Sequence, residues 1–296
     1  MNDIAIDSDA TRVSNDYHPA YSSRSADIVL LSNDGVKFRV HSSILATASK
    51  IFHDMFGMPR SAEESHDDAL PMGESSEILK MLLDIIYPRD TDPVLPSMSF
   101  PFLRHVLSAA EKYDLARVNH YVRLLAKTEL FNSKPLEAYA LACTFGWDED
   151  AQKLSLQLLD LDLSSPAHAD ILKSINSASL YELFQMRWKI KVEVLEVIER
   201  SRDEEIEHLY GCNCEDGNVP DNDDWDALEM FLRGELDKYP NGSSLRQFPW
   251  YHGDLLRLWN LKCNMCDKLL VRKLSLEKAV IKALDEVDFT NRPLSP

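Results

Sequence analysis

The sequence predicts an α+β fold in its N-terminal part, a small sheet with surrounding helices, followed by a mostly α-helical region. Three observations carry this. Asn33-Asp34-Gly35 lies between two β-rich runs, and an Asp-Gly in that setting signals a hairpin. From Ser42 the apolar spacing changes from the period of a strand to that of a helix. Beyond Phe131 the apolar residues recur almost throughout at helical spacing.

The hairpin strands are Ile28-Val29-Leu30-Leu31 and Val36-Lys37-Phe38-Arg39-Val40. In the second, Val36, Phe38 and Val40 share one face and Lys37 and Arg39 the other, which makes it a half-buried strand. Ile44, Leu45 and Ala48, then Ile51, Phe52, Met55 and Phe56, fit two successive short helices, with Ser49 as cap of the second and Gly57 and Pro59 as its stop. The charged stretch Arg60 to Asp68 reads as a loop before a short apolar element at Ala69-Leu70. Ser75-Ser76-Glu77 opens a helix carrying Ile78, Leu79, Leu82, Leu83 and Ile86, and Pro88 ends it. The proline-rich segment Asp90 to Pro101 is a connection. Leu103, Val106, Leu107 and Ala110 mark the next helix, and Val118, Tyr121, Val122 and Leu125 the one after.

Three stripes in the helical region read as packing surface: Leu136, Tyr139, Ala140 and Cys143; Ala151, Leu154 and Leu158; and Leu180, Phe184, Trp188, Val192 and Leu195. Glu199 to Asp224 is a composition shift and is taken as a boundary. A helix with Trp225, Leu228, Phe231 and Leu232, an aromatic loop at Phe248-Pro249-Trp250-Tyr251 and a final helix from Ser275 to about Val287 follow. The expected organisation is thus a disordered leader over 1–24, a recognition domain over 25–130, a helical extension over 131–200 and a helical C-terminal segment over 201–296.

With 45% hydrophobic and 27% charged residues the chain has the composition of a folded globular protein. Its formal net charge of -17 repels phosphate backbones and anionic headgroups, which argues against a nucleic-acid or membrane partner. The basic stretches Arg187 to Lys191 and Lys268 to Lys273 read as solvated helix faces. Neither a membrane-spanning run nor a secretory signal is visible, so an intracellular location, cytoplasm or nucleus, is expected. Five cysteines without a signal fit reduced thiols or a metal site better than a disulfide framework.

The order hairpin, paired short helices, short strand, helix, then two further helices resembles the BTB/POZ domain family. Four stretches carry the resemblance: Ser25-Ala26-Asp27-Ile28-Val29-Leu30, then Phe38-Arg39-Val40-His41-Ser42-Ser43-Ile44-Leu45-Ala46, then Ser49-Lys50-Ile51-Phe52-His53-Asp54-Met55-Phe56, and Leu107-Ser108-Ala109-Ala110-Glu111-Lys112-Tyr113-Asp114-Leu115. The resemblance implies protein binding without catalysis: self-association through the first strand and helices as a homodimer, or docking of another protein. It implies Asp27, His41, Ser42, Phe52, Met55, Phe56 and Met58 as interaction residues. Two positions depart from the family pattern. Ser42 stands where many self-associating members carry a basic residue that complements the aspartate of the first strand. Met58-Pro59-Arg60 ends in the opposite charge to the apolar-x-Glu motif of cullin adaptors, which makes a substrate adaptor of a cullin-type ubiquitin ligase the runner-up. His41 is expected as a buried side chain that hydrogen-bonds the backbone rather than as an interface group.

Only 9 glycines are present, and no phosphate loop, dinucleotide fingerprint, His-Glu-x-x-His or nucleophile elbow occurs. An enzyme with no recognisable local motif therefore stands as a second alternative; a pocket with perturbed ionisable groups would favour it. Asp221-Asn222-Asp223-Asp224 fails as a calcium loop, since Asp226 and Leu232 stand where glycine and glutamate are needed, and is expected as a solvated acidic loop. Cys212-Asn213-Cys214 and Cys263-Asn264-Met265-Cys266 form two close pairs, and four thiolates suffice for tetrahedral, structural zinc. His208 and His252 are alternates for one ligand. Four reduced thiols in loops and helix ends remain the competing reading, and Cys143 is assigned to the core.

Overall fold

The computed structural model describes residues 17–58, 69–89, 91, 93, 99–204, 210–212, 214, 217–247, 250, 253–287 and 289. It divides into two compact units, residues 1–132 and 133–296.

In unit 1, β1 (Ile28–Leu31) and β2 (Lys37–Val40) form the antiparallel hairpin, with Leu30 opposite Phe38. Gly35 takes φ +85°, the left-handed conformation that glycine adopts without a Cβ penalty. Asp34 in the same turn accepts from the N–H and hydroxyl of Ser76, at 2.9 and 2.7 Å, and so ties the hairpin to the start of a later helix. A two-residue strand, β3 (Leu70–Pro71), pairs in parallel with β1, giving the sheet order β2-β1-β3. Phe38 and Val40 are fully buried.

Helices α1 (Ser42–Ala48) and α2 (Lys50–Gly57) follow without an intervening loop. The hinge is Ser49, which is buried. Its hydroxyl caps α2 by accepting from the Phe52 N–H at 3.1 Å and donates to the Tyr113 carbonyl at 2.6 Å. Helix α3 (Ser76–Ile86) is buried at every position from Ile78 to Ile86 except Lys80, including at Asp84, as expected of a helix that is apolar over most of its surface. Helix α4 (Phe100–Lys112) packs on α3 and buries Leu103, Val106 and Leu107, and α5 (Ala116–Ser133) buries Val118 and Val122.

Residues 17–24, expected as part of a disordered leader over 1–24, are instead tied to the sheet. Tyr17 bridges Lys37, and the His18 N–H and the Tyr21 carbonyl bond β2 at 2.7 and 2.8 Å, covering its outer edge. Tyr21 is only 3% exposed and packs on Phe38 and Tyr87. Its hydroxyl donates to Asp84 at 2.7 Å. Residues 1–16 and 60–68, and the connection after Arg89 apart from residues 91, 93 and 99–101, lie outside the described residues.

Unit 2 is helical. Its elements are α6 (Pro135–Thr144), α7 (Asp148–Gln157), α8 (Ala169–Ser174), α9 (Ser177–Glu204), α10 (Asn222–Lys238), α11 (Leu256–Asn260) and α12 (Lys273–Glu286). Tyr139 and Leu154 are in the core as expected. Helices α9, α10 and α12 meet along a seam of Leu195, Ile198, Leu228, Leu232, Leu276 and Val280. The boundary expected near residue 200 therefore falls inside one unit, because α9 and α12 bury each other's apolar faces.

Three sequence expectations need correction here. Of the stripe Leu180, Phe184, Trp188, Val192 and Leu195 only Leu195 is buried; Phe184, Trp188 and Val192 are exposed, and the packed face of α9 runs through Leu183, Met186, Ile190, Val194 and Ile198. Arg187 is not on a solvated face. It is 5% exposed, and its guanidinium donates to the carbonyls of Leu158, Leu161 (3.1 Å) and Lys238 (2.7 Å). The acidic run 221–224 is the N-terminus of α10: Asp221 accepts from the Asp224 N–H at 2.9 Å, Asp224 accepts from the Asp221 N–H at 3.1 Å, and Arg257 pairs with both. Carboxylates there complement the helix dipole. Of the aromatic loop, Trp250 is described; it is buried and donates to the Leu245 carbonyl at 3.0 Å.

No helix among the described residues is long and apolar enough to cross a membrane.

Candidate functional site

The interaction residues named from the sequence gather at two places in unit 1. Asp27, at the head of β1, accepts from the Ser42 N–H at 2.8 Å and the Ser42 hydroxyl at 2.5 Å. Burial raises the affinity of its carboxyl for a proton, but the two Ser42 bonds outweigh this and hold the group below the usual carboxylate range. Ser42 thus satisfies inside the chain the carboxylate that a basic side chain would otherwise address. Because the folded-state pKa is depressed, the contact stabilises above the unfolded carboxylate range, about pH 4, and is lost as pH falls through the folded value. We expect Ser42→Ala to remove this acid-side dependence at a cost under about 1 kcal/mol, since the pair is exposed and screened. Urea denaturation of both proteins at pH 3.5 and 7 checks it; equal losses at the two pH values would contradict it.

His41 is half-buried, and its ring lies 3.2 Å from the Ser25 hydroxyl through Nε2 and 3.3 Å from the Tyr87 hydroxyl through Nδ1. Its own main-chain N–H donates to the same Tyr87 oxygen at 2.8 Å. The histidine therefore bonds side chains and not the backbone as expected, because Tyr87 arrives from the end of α3. Burial raises the Tyr87 phenol above its ordinary pKa.

The second place is α2. Phe52 is 4% exposed and stacks between Phe56 and Tyr113, so it supports the surface from below and cannot meet a partner directly. Met55 and Phe56 are half-buried, while Ile51 and Met58 are 46% and 64% exposed. Ile51 lies one turn before Met55 on the helix, and Met58 follows in extended conformation just past its last turn, so exposed apolar side chains stand near both ends of α2. Pro59 and Arg60, the rest of the cullin-motif comparison, lie outside the described residues.

In unit 2 the four cysteines converge: the Sγ atoms of Cys212, Cys214, Cys263 and Cys266 all lie within 4.8 Å of one another. None is in a disulfide. Backbone N–H groups of Met265 and Cys266 pull the Cys263 thiol down to about 7, whereas the Cys266 thiol, above all, pushes Cys214 up to about 12. His208 and His252 lie outside the described residues. Cys143 sits apart on α6, half-buried, with its thiol pushed up by burial.

The enzyme alternative asked for a pocket with a perturbed group. A cleft of about 400 Å³ in unit 2 is lined by Phe184, Trp188, Lys191 and Arg187 among others, and burial lowers Arg187 to about 10. At that value Arg187 is still a cation at neutral pH, and its three carbonyl acceptors give it a structural task. Sequence reasoning missed it because nothing local distinguishes a buried arginine from a solvated one.

Comparison with known proteins agrees with the geometry of unit 1. Residues 20–129 match the BTB/POZ domain family. A human protein, "Inhibitor of Bruton tyrosine kinase", is 28% identical over 167 residues, which cover 55% of this chain and 12% of that protein. Its mouse counterpart is 30% identical over 161 residues, 53% of this chain and 12% of its own length. The match to a Xenopus laevis protein of the same name is 26% over 163 residues, again 12% of its length. The matched region thus spans about an eighth of each relative. These residues hold the hairpin, the paired helices α1 and α2 and the α4–α5 turn, and residues 20–129 of this chain are a BTB/POZ domain, a protein-interaction module.

Proposed function

We propose that the chain is a non-enzymatic protein-binding platform that self-associates through its BTB/POZ domain, using the apolar side of α2. The observation that carries this is the exposed Ile51 and Met58, with the half-buried Met55 between them in the chain, on a domain of an interaction family. Exposed apolar side chains grouped on one face are stabilised by covering them, at about 25 cal/mol per Å² removed from water. The relatives are named as inhibitors of a tyrosine kinase, an action that binding alone can produce, but they match over 12% of their length and only protein binding is carried across.

Native mass spectrometry over a range of micromolar concentrations tests this. The wild-type chain is expected as a dimer and the double variant Ile51→Asp, Met58→Asp as a folded monomer. A wild-type monomer at every concentration would overturn self-association and leave a foreign protein as the occupant of this face.

A further inference from the structure

We propose that Cys212, Cys214, Cys263 and Cys266 hold one zinc ion in a closed tetrathiolate site that fastens the C-terminal hairpin of unit 2 to the segment leading into α10. This is separate from the BTB/POZ reading and stands or falls without it.

The first support is distance. With Zn–S bonds of about 2.3 Å, the sulfurs of a tetrahedral tetrathiolate stand about 3.8 Å apart. The four Sγ atoms here, all within 4.8 Å of one another, need only small inward shifts to reach that arrangement. Of the four only Cys263 is buried, so apolar packing does not gather them, and no disulfide joins them.

The second support is the scaffold. Residues 261–270 form a tight turn in which Leu270 N–H bonds the Leu261 carbonyl and Cys263 N–H the Lys268 carbonyl, both at 2.8 Å. The Asp267 N–H returns to the Cys263 carbonyl at 2.9 Å, and Asp267 adopts φ +57° to close the turn. This presents Cys263 and Cys266 on one side and aims the Met265 N–H at Cys263 Sγ, 3.4 Å away. Such N–H donors offset the charge of a metal-bound thiolate.

The first pair is brought to the same point by backbone contacts. Tyr210 bridges Val271, and the Gly211 N–H bonds the Leu270 carbonyl at 2.8 Å. A Cβ at Gly211 would fall 1.8 Å from the Leu269 carbonyl oxygen, so only glycine lets the two strands approach immediately before Cys212. Beyond Cys214, a Cβ at Gly217 would lie 3.0 Å from Cys263 Sγ, inside the space the sulfurs share. Asn218 and Asn264 then clasp each other: the Asn218 N–H donates to Asn264 Oδ1 at 3.2 Å and the Asn264 N–H to Asn218 Oδ1 at 2.7 Å. Each asparagine lies beside one cysteine pair, and their reciprocal bonds fix the distance between the pairs.

The donor set selects the metal. Four soft thiolates disfavour magnesium and calcium, and four protein ligands leave no open position for substrate, so the ion is structural. Binding replaces the thiol protons, which pass to solvent, and couples the ion to folding of the hairpin.

The test uses the full-length chain, purified under reducing conditions without chelator, with native mass spectrometry and elemental analysis. One zinc per chain is expected, retained in Cys143→Ser and lost in the double variant Cys263→Ser, Cys266→Ser. To separate metal loss from unfolding of that variant, the wild-type chain stripped of metal is also titrated with cobalt(II). Saturation at one equivalent, with the visible absorption of a tetrahedral thiolate complex and displacement by zinc, is expected, together with recovered hydrogen-exchange protection at residues 261–271. A metal-free chain that takes up no cobalt, iron as the bound metal, or a disulfide within either pair would overturn the proposal.

Discussion

Replacing Asp84 by alanine is expected to destabilise the BTB/POZ domain by about 3 kcal/mol, the lower end of the range for removing one partner of a buried charged network. Asp84 sits on α3, 7% exposed, where it accepts from the Tyr21 hydroxyl at 2.7 Å, from Arg89 at 2.6 Å and from Lys80. Lys80 and Arg89 are partly exposed and can turn to water. Tyr21 cannot: it is buried, and its phenol is already pushed above its ordinary pKa, first by burial and then by the bond to Asp84. Removing the acceptor leaves that hydroxyl with Arg89 as its remaining neighbour, 2.8 Å away and a donor only. The stretch before β1 should then detach from the edge of β2. Hydrogen exchange measured by mass spectrometry should show lost protection at His18 and Arg39, whose N–H groups bond the Lys37 and Tyr21 carbonyls at 2.7 and 2.8 Å. Asp84→Asn, which keeps an acceptor for Tyr21, should recover part of the loss. Unchanged exchange in Asp84→Ala would show that Arg89 and water suffice.

The other large effect is expected in unit 2. Arg187→Met keeps much of the stem's apolar bulk but leaves the carbonyls of Leu158, Leu161 and Lys238 without their shared donor. The Leu158 carbonyl keeps the Leu161 N–H as a donor at 3.2 Å; a buried acceptor without a partner costs about 1 to 3 kcal/mol, so the loss at Leu161 and Lys238 should total about 3 kcal/mol. Arg187→Lys should recover little, since an ammonium on a flexible stem does not reproduce the guanidinium fork that reaches three carbonyls at once. All five tryptophans lie in unit 2, and Trp188 is the next residue along α9, so the denaturant midpoint followed by tryptophan fluorescence reads the change directly. A loss below about 1 kcal/mol would mean that water replaces the guanidinium.

These two residues also show where the sequence was legible. The hairpin at Asn33-Asp34-Gly35 and the Ser49 cap are encoded by neighbours in the chain, and both lie where their local chemistry puts them. Helix α9 was misread because it is apolar on two sides. The row through Phe184 and Trp188 and the row through Ile190 and Val194 both have helical spacing, and only the arrival of α10 and α12 decides which is covered. Arg187 and Tyr21 were misplaced for the same reason: the carbonyls and the carboxylate that satisfy them are distant in sequence. The cysteine pairs were visible by spacing. Their approach to one another depends on Gly211 and on the Asn218–Asn264 clasp, which no local pattern announces.

The Ser42 hydroxyl has one more effect, on how association answers to ionic strength. A domain whose aspartate meets a partner's basic side chain loses affinity as salt screens the pair. Here the carboxylate is already engaged within its own chain, while two copies each carrying a net charge of -17 repel one another at a distance. Added salt weakens that repulsion and leaves an apolar contact through α2 untouched, so the proposed self-association should tighten as ionic strength rises.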